Sequence, residues 1–233
     1  MANRLNQFIF TGVFIELILF VSFFYFNDAI EDVFRLSARY TGRISFGLYL
    51  LMFYHFINER SKGKTLQNTY LWGMVFCVLH IIHFAYLSAA VYLNDLPIVP
   101  HKIAGGFLAY LAIVIYPFYM MKINRLRIHL IYFYYVGFVM AMTFLARIRG
   151  EFEGAPQSDF HYFGIVLIIS FFVYCPYTLF KTKKTWACLF QINGFTWLGS
   201  RFYYKMIYRQ QLYGLLLLKY FSIFFRFLVF RMW

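Results

Sequence analysis

The sequence predicts an all-α polytopic membrane helix bundle of about six transmembrane helices, with a C-terminal amphipathic helix lying at the interface. Two observations carry this. Of 233 residues, 62% are hydrophobic and only 13% charged, too few polar side chains to cover a surface facing water. The apolar residues also fall into runs near the roughly 20 needed to cross a bilayer, and the cations collect in the short segments between them.

The runs place spans at 8–27, 44–58, 69–93, 102–121, 128–147 and 161–180. The first follows MANRLNQF, which carries one Arg and precedes no small-residue cleavage signal, so it reads as a retained helix. The second is short and is led in by the charged NDAIEDVFRLSARYTGR. The third contains WGMVFCVLHIIHFAYL, the fourth holds Pro117, the fifth begins after the basic KINRLR, and the sixth holds Pro176 before KTKK. Lys and Arg are enriched in cytoplasmic loops. Here the N-terminus, the second and fourth loops and KTKK are purely or mainly basic, whereas the other loops mix Arg with Asp and Glu. Both termini are therefore expected in the cytoplasm, with residues 1–184 as the bundle and 185–233 as a basic amphipathic segment.

In that last segment Arg201, Arg209, Lys219 and Arg226 fall within about 100° of arc at helical spacing. A cationic stripe opposite Phe, Leu and Tyr suits a helix lying in the headgroup layer better than a seventh span. The net charge of +13 is accounted for by anionic lipid, with no nucleic acid required. Cys77, Cys175 and Cys188 lie in apolar runs without CxxC or disulfide spacing.

Six histidines occur. His101 and His161 open spans on the outer side, where a wet imidazole needs no special role, and His55 ends the second span. His80 and His83 stand mid-span, three residues apart on one helix face, where an imidazole must be paired or face a cavity. His129 enters the fifth span from the inner side. Imidazoles from two helices suit an axial pair for haem b; the same rings would equally be satisfied by a tyrosine hydroxyl or a backbone carbonyl.

The segment YTGRISFGLYLLMF, the pattern Leu79, His80, Tyr86, Leu87 and the entry RLRIH together resemble the ferric reductase-like transmembrane family. The likeness is nearest to its bacterial haem-binding membrane subunits that supply electrons to a periplasmic methionine sulfoxide reductase. It runs over roughly residues 30–180. The resemblance implies one haem b held by His80 and His129, with His83 a neighbouring candidate and His55 a reserve partner for His129. The family's second fifth-span histidine is replaced by Met142, and Leu93 stands at the matching place beyond His80, so one haem is expected and not two. Arg43, Arg147 and Arg149 on the outer side, and Arg125 and Arg127 on the inner, are of the type that pairs with haem propionates or with lipid phosphate.

On this reading the chain is at most the electron-transfer subunit of an oxidoreductase system in a bacterial inner membrane. It would carry electrons between a quinone or flavoprotein donor and a membrane or periplasmic redox partner, since it has no flavin or nicotinamide domain. The alternative is a non-catalytic accessory or assembly subunit of a larger membrane complex that has lost part or all of the haem sites. Paired Gly/Pro breaks, the mark of a transporter core, are missing.

Overall fold

The computed structural model describes residues 2–95, 100–151 and 157–192, and side chains within slightly narrower limits. Residues 193–233, with the expected interfacial helix and its Arg201, Arg209, Lys219 and Arg226, lie outside the described residues, as does the side chain of His101. Among the described residues the chain is helical: α1 (Ala2–Phe26), α2 (Ile30–Ser61), α3 (Gln67–Leu93), α4 (Pro100–Tyr119), a 3₁₀ turn over Met120–Lys122, α5 (Leu126–Ile148) and α6 (Asp159–Ile192). Five of them, all but α2, are long and apolar enough to cross a membrane. The chain divides into two compact units, residues 1–175 and 176–233.

The helix that fails the apolarity criterion is the centre of the first unit. Tyr49, Met52, Phe53, Phe56 and Ile57 on α2 have no solvent exposure. Phe53 packs on Phe133 of α5 (ring centroids 4.6 Å) and on Phe171 of α6 (5.8 Å). Neighbours on several sides cover the apolar half of α2, while its charged first turns stay partly exposed, the Asp32 and Arg35 side chains at 42% and 41%. The expected short span 44–58 is the inner part of one continuous helix. Its N-terminal Glu31 and Asp32 sit favourably against the helix dipole, and Asp32 pairs with Arg35.

α2 and α3 form an antiparallel hairpin whose register can be read from three contacts. Thr41 meets His83, Tyr49 meets Phe76 (6.2 Å), and Glu59 closes the turn. The Glu59 carboxylate accepts from the backbone N–H groups of Asn68 and Thr69 (2.9 and 3.1 Å) and from the Thr69 hydroxyl (2.6 Å). These are first-turn amides of α3 that have no partner within the helix, so a buried acid serves as the cap.

α1 runs along α3, with Phe20 stacked on Tyr86 (5.3 Å). α5 joins α2 through the Tyr49 hydroxyl, which donates to the Phe133 carbonyl at 2.7 Å. Position 137 on α5 is glycine, and a Cβ there would strike the Tyr49 hydroxyl and the Phe172 ring. α6 continues as helix through Lys181 to Lys184, where the sequence reading ends its span at 180. Charge, and not the end of the helix, marks that boundary.

Candidate functional site

The mid-span histidines of α3 meet the TGR segment of α2, and each residue of that segment has a distinct part. The Thr41 hydroxyl donates to the Ser37 carbonyl at 2.8 Å. A hydroxyl has one proton to give, so across the 3.1 Å contact with Nδ1 of His83 it is the ring that donates. With its proton on Nδ1, His83 keeps Nε2 as the unprotonated nitrogen. Gly42 provides the space for that ring: a Cβ at this position would lie 2.9 Å from His83 Cε1. The Arg43 guanidinium lies over Tyr40 (5.0 Å) and Phe160 (4.9 Å) and donates to the Ser158 hydroxyl at 3.3 Å.

One turn further along, the α2–α3 register sets Ser45 opposite His80. Both are buried, and both leave a polar atom without a partner, Ser45 Oγ and His80 Nδ1. The His80 ring is stacked on Tyr110 of α4 (4.5 Å) and neighbours His83 (5.4 Å). Buried polar atoms are nearly always satisfied, and these two are among the few described ones that no protein group satisfies.

His129 is different. It has no solvent exposure, and both ring nitrogens are engaged. Nε2 lies 2.9 Å from the Ile123 carbonyl, which can only accept, so Nε2 carries the proton. Nδ1 is then the acceptor for the Tyr116 hydroxyl at 2.6 Å. Tyr116 is itself stacked on Tyr132 at 3.6 Å. The histidine ties the 3₁₀ turn before α5 to α4, as a structural bolt.

The structure does not bring His80 and His129 together. His80 stands beside Tyr110 and His129 beside Tyr116, six residues along α4 or about 9 Å of rise. A haem b requires two open imidazole nitrogens facing one iron; His80 offers one, and His129 in this arrangement offers none. His55, the reserve partner, is half-buried with its ring against Trp72 (6.3 Å). Arg127 is exposed at the start of α5. Among the described residues no three His, Cys, Asp or Glu side chains gather as a metal centre.

Two buried groups escape the sequence reading. His161, expected to be wet, is 3% exposed and packs against Phe144 (5.8 Å), with its Nδ1 unpartnered. It feels the charges of Arg147, Arg43 and Arg39. Glu16 lies mid-α1, 1% exposed, with neither carboxylate oxygen bonded. Its signal was in plain view, an acid inside TGVFIELILFV.

The chain matches no family model, no curated protein and no solved structure.

Proposed function

We propose that this chain is an accessory subunit of a larger membrane complex, keeping a six-helix plan like that of the ferric reductase-like family without a haem held by His80 and His129. The observation supporting this reading is the state of His129: its two nitrogens are committed to Tyr116 and Ile123, so the residue that aligns with the family's ligand acts as a helix tie. The bilayer is its solvent, and its partner in this reading is another membrane or periplasmic protein, a redox protein by the family's pattern. We place the N-terminus, and the chain as far as Lys184, on the cytoplasmic side of a bacterial inner membrane, on the distribution of Lys and Arg among the loops. A reporter fused after Lys184 that reads as external would overturn that orientation.

A second reading is favoured by a specific observation. His80 Nδ1 is buried and open, and the tautomer argued above leaves His83 Nε2 as a lone pair. A single haem b bound here, by His80 or His83 and a partner other than His129, would make the chain an electron carrier between a quinone or flavoprotein and that partner protein. A bound haem would supply one-electron chemistry; the chain's part would be to hold the ring, orient it through Thr41 and Gly42, and exclude water.

The absorption spectrum of the purified protein separates these readings. The accessory reading expects no dithionite-reduced haem band. The carrier reading expects a band that His80→Ala or His83→Ala removes and His129→Asn leaves.

A further inference from the structure

Three half-buried arginines, Arg39 and Arg43 of α2 and Arg147 of α5, stand near the start of α6 with no carboxylate paired to them among the described residues. The guanidinium groups of Arg39 and Arg43 act electrostatically on Arg147, and all three act on His161. No carboxylate stands within ion-pair distance of these arginines among the described residues, where the ion pairs are Arg35 with Asp32 and Arg149 with Glu151.

Arg147 is the last residue but one of α5 and His161 the third of α6, and the Arg43 guanidinium reaches Ser158 and Phe160 at the same end, so the cluster gathers at the ends of two apolar helices, where basic pockets meet lipid headgroups. Two polar atoms at the cluster, Arg147 Nε and His161 Nδ1, are buried and have no hydrogen-bond partner. His161 is nine-tenths buried and more.

The geometry points to a phosphate-binding site between the first half of α2, the end of α5 and the start of α6, with Arg39, Arg43, Arg147 and His161 as its donors. Charge selects the ligand class: a phosphate monoester carries about −1.5 to −2 at neutral pH, a closer match to three guanidinium groups than one carboxylate is. The forked guanidinium also suits phosphate oxygens two at a time. Access is from the lipid side, because Arg43 lies between Phe160 and the exposed Tyr40. The phosphate group arrives either on a phospholipid or as free phosphate. The site goes beyond the accessory-subunit reading and does not rest on it.

Native mass spectrometry of the full chain tests this, with phosphatidic acid, diacylglycerol and inorganic phosphate as probes. Phosphatidic acid should be retained and diacylglycerol not. Arg39→Gln, Arg43→Gln and Arg147→Gln should each weaken retention about tenfold, while Arg149→Gln, exposed and paired with Glu151, should leave it unchanged. Where a Gln variant fails to fold, Arg→Lys at the same position keeps the charge, loses the fork and should give an intermediate loss. Displacement of the lipid by inorganic phosphate at equal concentration would support the site and assign it to free phosphate. Equal retention of phosphatidic acid and diacylglycerol, or unchanged binding in Arg43→Gln and Arg147→Gln, would overturn it. So would binding that appears only in Glu153→Gln, which would make a loop carboxylate the natural counter-ion.

Discussion

Replacing Tyr116 with Phe isolates the tie that holds His129. The ring stack on Tyr132 at 3.6 Å survives the change, so the loss is confined to one hydroxyl. That hydroxyl donates to Nδ1 of a fully buried histidine at 2.6 Å. Leaving a buried acceptor unsatisfied costs about 1–3 kcal/mol in soluble proteins, while hydrogen bonds between membrane helices average about 0.6 kcal/mol with a maximum near 1.7. The short distance and complete burial argue for the upper part of the membrane range, about 1–1.5 kcal/mol. For a unit of this size such a loss lowers Tm by about 2–5 °C. The assay is unfolding in detergent of Tyr116→Phe, His129→Gln and the double variant. The double variant should be no worse than His129→Gln by more than a few tenths of a kcal/mol, because the bond that Tyr116→Phe removes is already lost in His129→Gln. Fully additive losses, or a Tyr116→Phe protein as stable as wild type, would refute the bolt and release His129 as a candidate ligand.

Glu59→Ala removes four hydrogen bonds at the α2–α3 turn and should cost about 2–3 kcal/mol, visible in the same unfolding assay; a change below 0.5 kcal/mol would show that water replaces the cap. Gly42→Ala should displace the His83 ring, since the new methyl would lie 2.9 Å from Cε1, and the imidazole NMR signals of His83 should shift while those of His129 stay in place. Glu16→Gln keeps the shape of a buried carboxyl that has no bonded partner and removes any charge from mid-span, so Tm should hold or rise; a clear fall would show that the carboxylate itself is needed.

The spans were legible because hydrocarbon allows so few solutions: apolar runs near 20 residues must be helices, and α3 and α5 fall within three residues of their sequence limits at both ends. α2 was harder to read. Its charges break the hydropathy signal of Ile30–Ser61, and only the packing of Phe53 and Phe56 against other helices shows why a half-polar helix occupies the centre. Within the site, residue type singled out His80, His83 and His129 but could not assign their partners. His80 and His129 looked alike in sequence; Tyr116, thirteen residues before His129, and the carbonyl of Ile123 decide between ligand and tie, and neither leaves a pattern. The TGR segment stands out as a motif, while the part each residue plays, a hydroxyl and a gap beside His83 and a cation turned to Phe160 and Ser158, requires the packing of α2 on α3 and α6. His161 was misjudged because its place in sequence, three residues into a helix, says nothing of the Phe144 ring that covers it.

The central proposal, that His129 is a structural tie and holds no iron with His80, is tested most directly by the dithionite-reduced spectrum of the purified wild-type protein beside that of His129→Asn. We expect the two spectra to be the same, both colourless or both carrying one haem band that depends on His80 or His83. A bis-histidine band present in wild type, and lost both in His129→Asn and in His80→Ala while each variant remains folded, would contradict it.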